Sequence, residues 1–183
     1  MGGLFRHVHD LARGQAELGL EIGIVCDEAT GGEQAKAALS RLADSCALGV
    51  TRLKMDRNVG FSDWQNYRAV TKLAAQHGVN VLHGHGAKGG AYARLAARTL
   101  KRKRKETYAF YTPHGGSLHY DPKSASGRIY LAAERVLERM TDAFIFVSQF
   151  EADTYAAKVG PPFRPANVIP NRVQDDAIAD SAG

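Results

Sequence analysis

The stretch that decides the fold runs from residue 79 to residue 98 and reads VNVLHGHGAKGGAYARLAAR. Its first seven residues predict a buried strand, and the alanine-rich remainder predicts a helix. Glycines stand at the junction, as Gly84, Gly86, Gly89 and Gly90. We expect Gly84 and Gly86 to permit a tight turn from strand to helix. Gly89 and Gly90 would let the helix pack close to the sheet.

The same alternation of strand and helix extends along the whole chain. Near-continuous apolar strands separated by helices are typical of parallel strands covered on both faces. We therefore predict an α/β fold with a Rossmann-like, doubly wound, mostly parallel sheet. In such sheets the first strand is usually central, but this sequence opens on a helix, so the first strand is expected to be missing. Strands are predicted at residues 20–27, 49–55, 79–85, 107–115, 142–148 and 167–170, and helices at 4–18, 33–46, 62–78, 87–104, 128–140 and 148–160.

Three of these helices carry side-chain predictions. In the first helix, the 3.6-residue period places Leu4 and Leu18 on the inner face. In the third helix, Ser62 is the expected N-cap, and the residues expected to point inward are Trp64, Tyr67, Val70 and Leu73 or Ala74. Ser148 should cap the last helix in the same way. These expectations follow from spacing alone, because the sequence does not reveal tertiary contacts.

Composition limits the classes of protein that fit. The chain has 183 residues, a net charge of +5 and a pI of about 9.3, which suits one domain with an anionic partner. No apolar run approaches the length of a membrane span. Cys26 and Cys46 give neither a disulfide framework nor a zinc spacing. The first residues lack the apolar segment of a secretory signal, so we expect a cytoplasmic protein with reduced thiols.

The glycines at residues 84–89 also match the dinucleotide pattern G-x-G-x-x-G. A dinucleotide site would place this pattern in the first strand–helix turn, with an acidic residue at the end of the next strand. Here the pattern follows the third predicted strand. The next strand ends in Thr112-Pro113-His114, without a carboxylate. The structural explanation for the glycines is therefore favoured over binding of a nicotinamide cofactor.

Histidines at predicted strand ends raise the question of a metal. His83 and His85 form an H-x-H pattern, and His114 follows the next strand. A metal site of this type would need carboxylates or further histidines at other strand ends. No acidic residue lies beside His114 in the sequence. We therefore expect no metal and no cofactor.

Several segments together resemble the N-terminal half of family 4 (group 1) retaining glycosyltransferases of the GT-B architecture. The resemblance extends from Gly2 to about Val173. It implies a Rossmann-like, acceptor-side domain at residues 1–171 and a hinge or linker at 172–183, leading to a donor-binding domain absent from this chain. The segments that carry the resemblance read GGLFRHVHDLARGQAELGLEIGIV, VNVLHGHG, YTPHGGSLHY, AERVLERMTDAFIFVSQFEAD and NVIPNRV.

The donor site implied by this resemblance has five residues. His114 is the candidate catalytic residue and would contact the donor sugar near the reacting carbon. Gly2 and Gly3 would present free backbone N–H groups at a helix N-terminus to the donor diphosphate. Ser148 and Asn171 complete the donor-side set. The family's P-N-G hinge reads Pro170-Asn171-Arg172 here, so the hinge turn departs from the family pattern.

The acceptor side and the surface complete the prediction. The candidate acceptor-binding residues are His85, Gly116, His119 and Tyr120. The basic run is a candidate patch for an anionic membrane, although a solvated helix end is the favoured explanation. No nucleic-acid partner is expected, because aromatic residues are not interleaved with the charges. The basic run consists of Lys101, Arg102, Lys103, Arg104 and Lys105.

The predicted function is therefore half of a glycosyltransferase. It would move a sugar from a nucleotide-sugar donor to a glycan or lipid-linked acceptor in polysaccharide or glycoconjugate synthesis. The protein would be cytoplasmic or peripheral on the inner face of a membrane. We expect the chain to be poorly stable and inactive by itself. The alternative is a non-catalytic binding module that docks a partner or an anionic membrane.

Overall fold

A computed structural model describes residues 2–29, 31–56, 58–103 and 106–171. The predicted linker at 172–183 and two members of the basic run, Arg104 and Lys105, lie outside the described residues. The elements in chain order are α1 (Gly3–Glu17), β1 (Ile24–Asp27), α2 (Gly32–Ala43), β2 (Val50–Leu53), α3 (Phe61–Gln76), β3 (Val81–His85), α4 (Gly86–Arg102), β4 (Tyr108–Thr112), a 3-10 helix (Gly116–His119), α5 (Ala125–Glu138), β5 (Ala143–Phe146), α6 (Gln149–Lys158) and β6 (Ala166–Val168).

The α/β prediction is confirmed, and every strand pair in the described residues is parallel. The strands form two sheets rather than one. A small sheet has the order β1–β2, and a larger sheet has the order β3–β4–β5–β6. In the larger sheet, β3 is an edge strand. The first element of the described residues is α1.

The junction between β3 and α4 shows why its glycines are needed. Gly86 has φ 67, in the left-handed region that glycine adopts easily. A Cβ on Gly84 would lie 2.5 Å from Gly90 Cα, and one on Gly90 would overlap the Tyr111 ring. The predicted tight turn and close packing are therefore confirmed at these three glycines. Gly89 differs, since a Cβ there would meet nothing within 4 Å.

The two adjacent glycines provide a matched test of this packing. We expect Gly90→Ala to lower the free energy of unfolding by about 1–3 kcal/mol, because the added methyl overpacks the contact with Tyr111. Gly89→Ala should raise it by up to about 1 kcal/mol, because alanine is the better helix former. Urea unfolding of both variants measures the difference. Equal stabilities would contradict the close approach.

The main core lies in the larger sheet, between β4, β5 and the helices that cover them. Aromatic rings dominate it, and Phe144 stacks on Phe146 with ring centroids 5.8 Å apart. A second cluster joins α1 to the small sheet through Ala12, Ile24 and Leu42. The main cluster consists of Tyr111, Leu118, Leu131, Phe144, Phe146, Tyr155 and Val159.

The prediction for the inner face of α1 is wrong at both ends of the helix. Leu4 is 43% exposed and Leu18 is 81% exposed. Leu18 is the C-cap residue, beyond the part of the helix that packs, and Gly19 turns the chain there with φ 82. Ala12 is the residue of α1 that is fully buried. The packed face of α1 is therefore short and central.

Two predictions for α3 are also wrong. Gly60 is the N-cap instead of Ser62, because Asp63 reaches back and accepts the Gly60 N–H at 2.8 Å. Trp64 is 49% exposed. It stacks on Phe61 with ring centroids 5.5 Å apart, on the outer face of the helix. The buried residues of α3 are Asn66, Val70 and Ala74, at a spacing of four residues, so the prediction of an inward Val70 and Ala74 is confirmed.

A buried ion pair joins α4 to α5. Arg94 is fully buried and binds Glu134 through both carboxylate oxygens, with Nη1–Oε1 2.5 Å and Nη2–Oε2 3.2 Å. The guanidinium also lies 3.9 Å above the ring of Tyr111. Glu134 accepts a further hydrogen bond from the Ser117 hydroxyl at 3.3 Å. The pair therefore connects two helices, a central strand and the 3-10 helix.

Candidate functional site

Three histidines from separate parts of the chain meet at the carboxyl ends of β3 and β4. His85 is the last residue of β3, and His114 follows β4 by two residues. His85 Nδ1 and His114 Nε2 lie 3.0 Å apart. His7, in α1, has its ring centroid 5.5 Å from that of His85 and 4.9 Å from that of His114. We call these three residues the histidine cluster.

Strand pairing sets the positions of two members of the cluster. His85 lies directly opposite Thr112 in the parallel ladder, so the turns that follow the two strands are neighbours. His114 has φ 49, a left-handed conformation that is uncommon for a residue with a side chain. It directs the chain into Gly115 and Gly116, and a Cβ on Gly116 would lie 3.1 Å from the backbone nitrogen of Ala87, in the first turn of α4.

The Glu151 carboxylate holds this turn from α6. It accepts the Gly115 N–H at 2.9 Å and the Val147 N–H at 3.0 Å. Ser148 is the N-cap of α6, as predicted, and its hydroxyl accepts the Glu151 N–H at 3.1 Å. The S-x-x-E spacing of a capping box is visible in the sequence. The contact with Gly115 is not, because it joins residues 36 positions apart.

We expect Glu151→Gln to destabilise the turn that carries His114. A glutamine can present one oxygen to the two N–H donors, so one donor is left without an acceptor, at a cost of about 1–3 kcal/mol. Asp153→Asn, an exposed change on the same helix, is the matched control and should shift stability by no more than about 0.5 kcal/mol. Urea unfolding gives the free energies. Equal values for the two variants would show that Glu151 does not hold the turn.

The histidines at the strand ends are poor bases in this environment. Burial, together with the neighbouring imidazoles, lowers the pKa of His83 and of His114 to about 4 and that of His85 to about 2. Burial also lowers the pKa of His7. His83 Nε2 lies 2.9 Å from the Thr112 hydroxyl. At neutral pH the rings are therefore uncharged and available for hydrogen bonding.

These lowered pKa values predict that stability falls on acidification. An unfolded histidine binds a proton near pH 6.5, whereas folded His83 and His114 do so near pH 4. Between these values the unfolded state binds more protons, so the free energy of unfolding decreases as the pH falls. Urea unfolding between pH 7 and pH 4 measures the slope. His83→Gln should reduce it and exposed His77→Gln should leave it unchanged. A pH-independent stability over this window would contradict the prediction.

The predicted phosphate-binding glycines begin α1 beside the cluster. Gly2 is the N-cap with an extended backbone, and the first turn of α1 carries no acidic residue. A Cβ on Gly2 or Gly3 would meet nothing within 4 Å. Leu4 approaches Gly86, since a Cβ there would lie 3.4 Å from Leu4 Cδ1. The N-termini of α1 and α4 therefore lie side by side, but phosphate binding stays a prediction.

The other predicted site residues surround the turn less closely. His119 is exposed, and a Cβ on Gly115 would overlap its ring. Tyr120 stacks on Tyr130 with centroids 4.3 Å apart. Asn171 is exposed. The roles assigned to these residues, to Gly116 and to Ser148 stay predictions.

One charge of the basic run is already paired within the protein and is therefore less available to an anionic membrane than the sequence suggested. Lys101 Nζ lies 2.6 Å from both carboxylate oxygens of Asp142, and 5.4 Å from the ring centroid of Tyr108. Arg102 and Lys103 are exposed. In the described ranges, none of the helices has the length and apolar character needed to cross a bilayer. Membrane attachment through this run stays a prediction.

Comparisons with known proteins agree with this architecture. Residues 2–172 match the family described as "Glycosyl transferase 4-like domain", so the chain belongs to that family. A sucrose-phosphate synthase from Thermosynechococcus elongatus has a similar structure, with a TM-score of 0.58 at 15% identity. The match covers 97% of this chain and 91% of that chain. No curated protein matches the sequence. The chain is therefore a glycosyltransferase-family domain with the predicted GT-B type of fold.

Sequence reasoning missed four residues around the site. His7 stands within the quoted segment GGLFRHVHDL, and its position one turn after Gly3 was the available signal. Glu151 was detectable as part of a capping box. Arg94 and Glu134 had no local signal, because their contact spans 40 residues.

Proposed function

We propose that this chain is the acceptor-side domain of a retaining glycosyltransferase. Its enzyme would transfer a sugar from a nucleotide-sugar donor to a glycan or lipid-linked acceptor, in polysaccharide or glycoconjugate synthesis. The observation that carries the proposal is the placement of His114. Its uncharged imidazole stands at the carboxyl end of β4, where open α/β sheets bind their ligands, and a left-handed backbone fixed by Glu151 holds it there.

His114 would orient the donor sugar. A neutral imidazole both donates and accepts a hydrogen bond, so it can hold a sugar hydroxyl without adding charge beside the reacting carbon. Correct orientation of the reacting groups is a large part of enzymatic rate enhancement. His85 Nδ1 lies 3.0 Å from His114 Nε2, so the sugar hydroxyl would bind at His114 Nδ1. The acceptor would approach along His119 and Tyr120.

The diphosphate of the donor would lie at the start of α1. Backbone N–H groups at a helix N-terminus attract phosphate, and the open space around Gly2 and Gly3 allows close approach. The Glu151 carboxylate, which holds the turn after β4, already accepts two backbone hydrogen bonds. The diphosphate of the nucleotide sugar would therefore face backbone N–H groups and not an unpaired Glu151 carboxylate.

A second domain would complete the enzyme. In this proposal residues 1–171 form the acceptor-side half, residues 172–183 lead to a donor-binding half, and the chain is inactive alone. We expect no metal requirement for the transfer itself. A cytoplasmic location, with peripheral attachment to an anionic membrane through exposed Arg102 and Lys103, would suit a lipid-linked acceptor.

Saturation-transfer difference NMR of this chain with nucleotide sugars tests the proposal. We expect the sugar-ring protons to receive more saturation than the base protons, because the donor sugar lies against His114. His114→Asn should remove most of the sugar signal, and exposed His77→Asn, the matched control, should retain it. Stronger saturation of the base than of the sugar, or an unchanged signal in His114→Asn, would overturn the proposal.

A further inference from the structure

One nitrogen of the histidine cluster has no hydrogen-bond partner. His7 Nε2 is inaccessible to solvent, and none of the described residues forms a hydrogen bond with it. A buried polar atom left unpaired costs about 1–3 kcal/mol, and such atoms in native proteins often mark the place of a water or an ion. The side chains around this nitrogen are imidazoles, with His85 and His114 beside it.

The cluster has the dimensions of a metal site. One ligand nitrogen each from His7, His85 and His114 lies within 4.8 Å of the others. In a tetrahedral zinc site, metal–nitrogen bonds of about 2.0–2.1 Å place the ligand nitrogens about 3.4 Å apart. The distance of 3.0 Å between His85 and His114 is close to this value.

The chemistry of the cluster selects a class of metal. The three candidate ligands are all imidazoles. Imidazoles favour zinc, copper, nickel and cobalt, whereas magnesium and calcium require oxygen ligands. The Glu151 carboxylate is engaged with Gly115 and Val147 and leaves the ligand set purely nitrogenous.

We propose that His7, His85 and His114 bind a transition-metal dication of the Zn²⁺ class, with a fourth coordination position facing the cleft. The sequence predicted no metal because it offered no carboxylate beside His114. The third ligand comes instead from α1, a helix outside the strand-end pattern. A metal on His114 would bind at Nε2, the nitrogen that faces His85, so the Nδ1 atom that the glycosyltransferase proposal assigns to a sugar hydroxyl would stay available.

Co²⁺ titration of the untagged chain tests this site directly. Co²⁺ replaces Zn²⁺ in tetrahedral sites and is visible by its absorption. We expect ligand-field bands of a nitrogen site that Zn²⁺ abolishes and Mg²⁺ does not. Sulfur charge-transfer bands, which Cys26 or Cys46 would produce, should be absent. Lack of any saturable band, or bands of the sulfur type only, would overturn the proposal.

Two variants locate the site. His7→Gln removes one ligand and should weaken Co²⁺ binding by more than the roughly 10- to 100-fold loss typical of outer-shell changes. His77→Gln removes an exposed histidine at the end of α3 and should leave the affinity unchanged. Equal affinities of the two variants would show that the cluster is not the site.

A measurement on the unmodified chain covers the case in which His7→Gln fails to fold. Diethyl pyrocarbonate acylates free imidazoles, and mass spectrometry locates the modified residues. Zn²⁺ should protect His7, His85 and His114 and leave His77 reactive. Equal modification of the cluster with and without Zn²⁺ would overturn the proposal. Both readouts are made without any sugar, so their failure is distinct from failure of the proposed transferase function.

Discussion

The buried pair of Arg94 and Glu134 is the interaction on which the rest of the structure depends. Arg94 belongs to the helix that continues directly from β3 and His85. Glu134 holds Ser117, in the segment that follows His114. Removal of one partner from such a pair leaves an uncompensated buried charge and typically costs about 3–5 kcal/mol. The relative placement of His85 and His114 is therefore fixed by charges that lie below the site and do not face the cleft.

Three carboxylates near the site already have hydrogen-bond or ion-pair partners. Glu134 binds a guanidinium, Glu151 binds two backbone N–H groups, and Asp63 accepts from Lys88 at 2.7 Å. What remains at the strand ends is uncharged imidazole and two helix N-termini. An environment of this kind favours an anionic ligand, because the dipoles are positive and these three carboxylates already have partners.

Local signals in the sequence were sufficient for most of the fold. The strand–glycine–helix pattern located β3 and α4, and Ser148 was recognisable as a cap. Trp64 and Leu18 were misplaced because periodicity describes a helix and not what packs against it. Because the Asp63 carboxylate accepts the Gly60 N–H, the N-cap of α3 is Gly60 and not Ser62. Trp64 then lies on the outer face of the helix. His7, Arg94 and Glu151 were missed for a related reason, since each acts on a residue distant in the chain.

The histidine cluster draws its residues from two parts of the protein of unequal size, which are the small sheet with α1 and the larger sheet. Ala12 anchors α1, and with it His7, to the core of the small β1–β2 sheet. His85 and His114 belong to the larger sheet. Proteins open in separate cooperative units, and the units with fewer buried contacts open first. Partial unfolding of the small sheet would thus remove His7 from its neighbours while the larger sheet stayed folded. The lifetime of the complete cluster is set by this smaller unit, whatever the global stability of the chain.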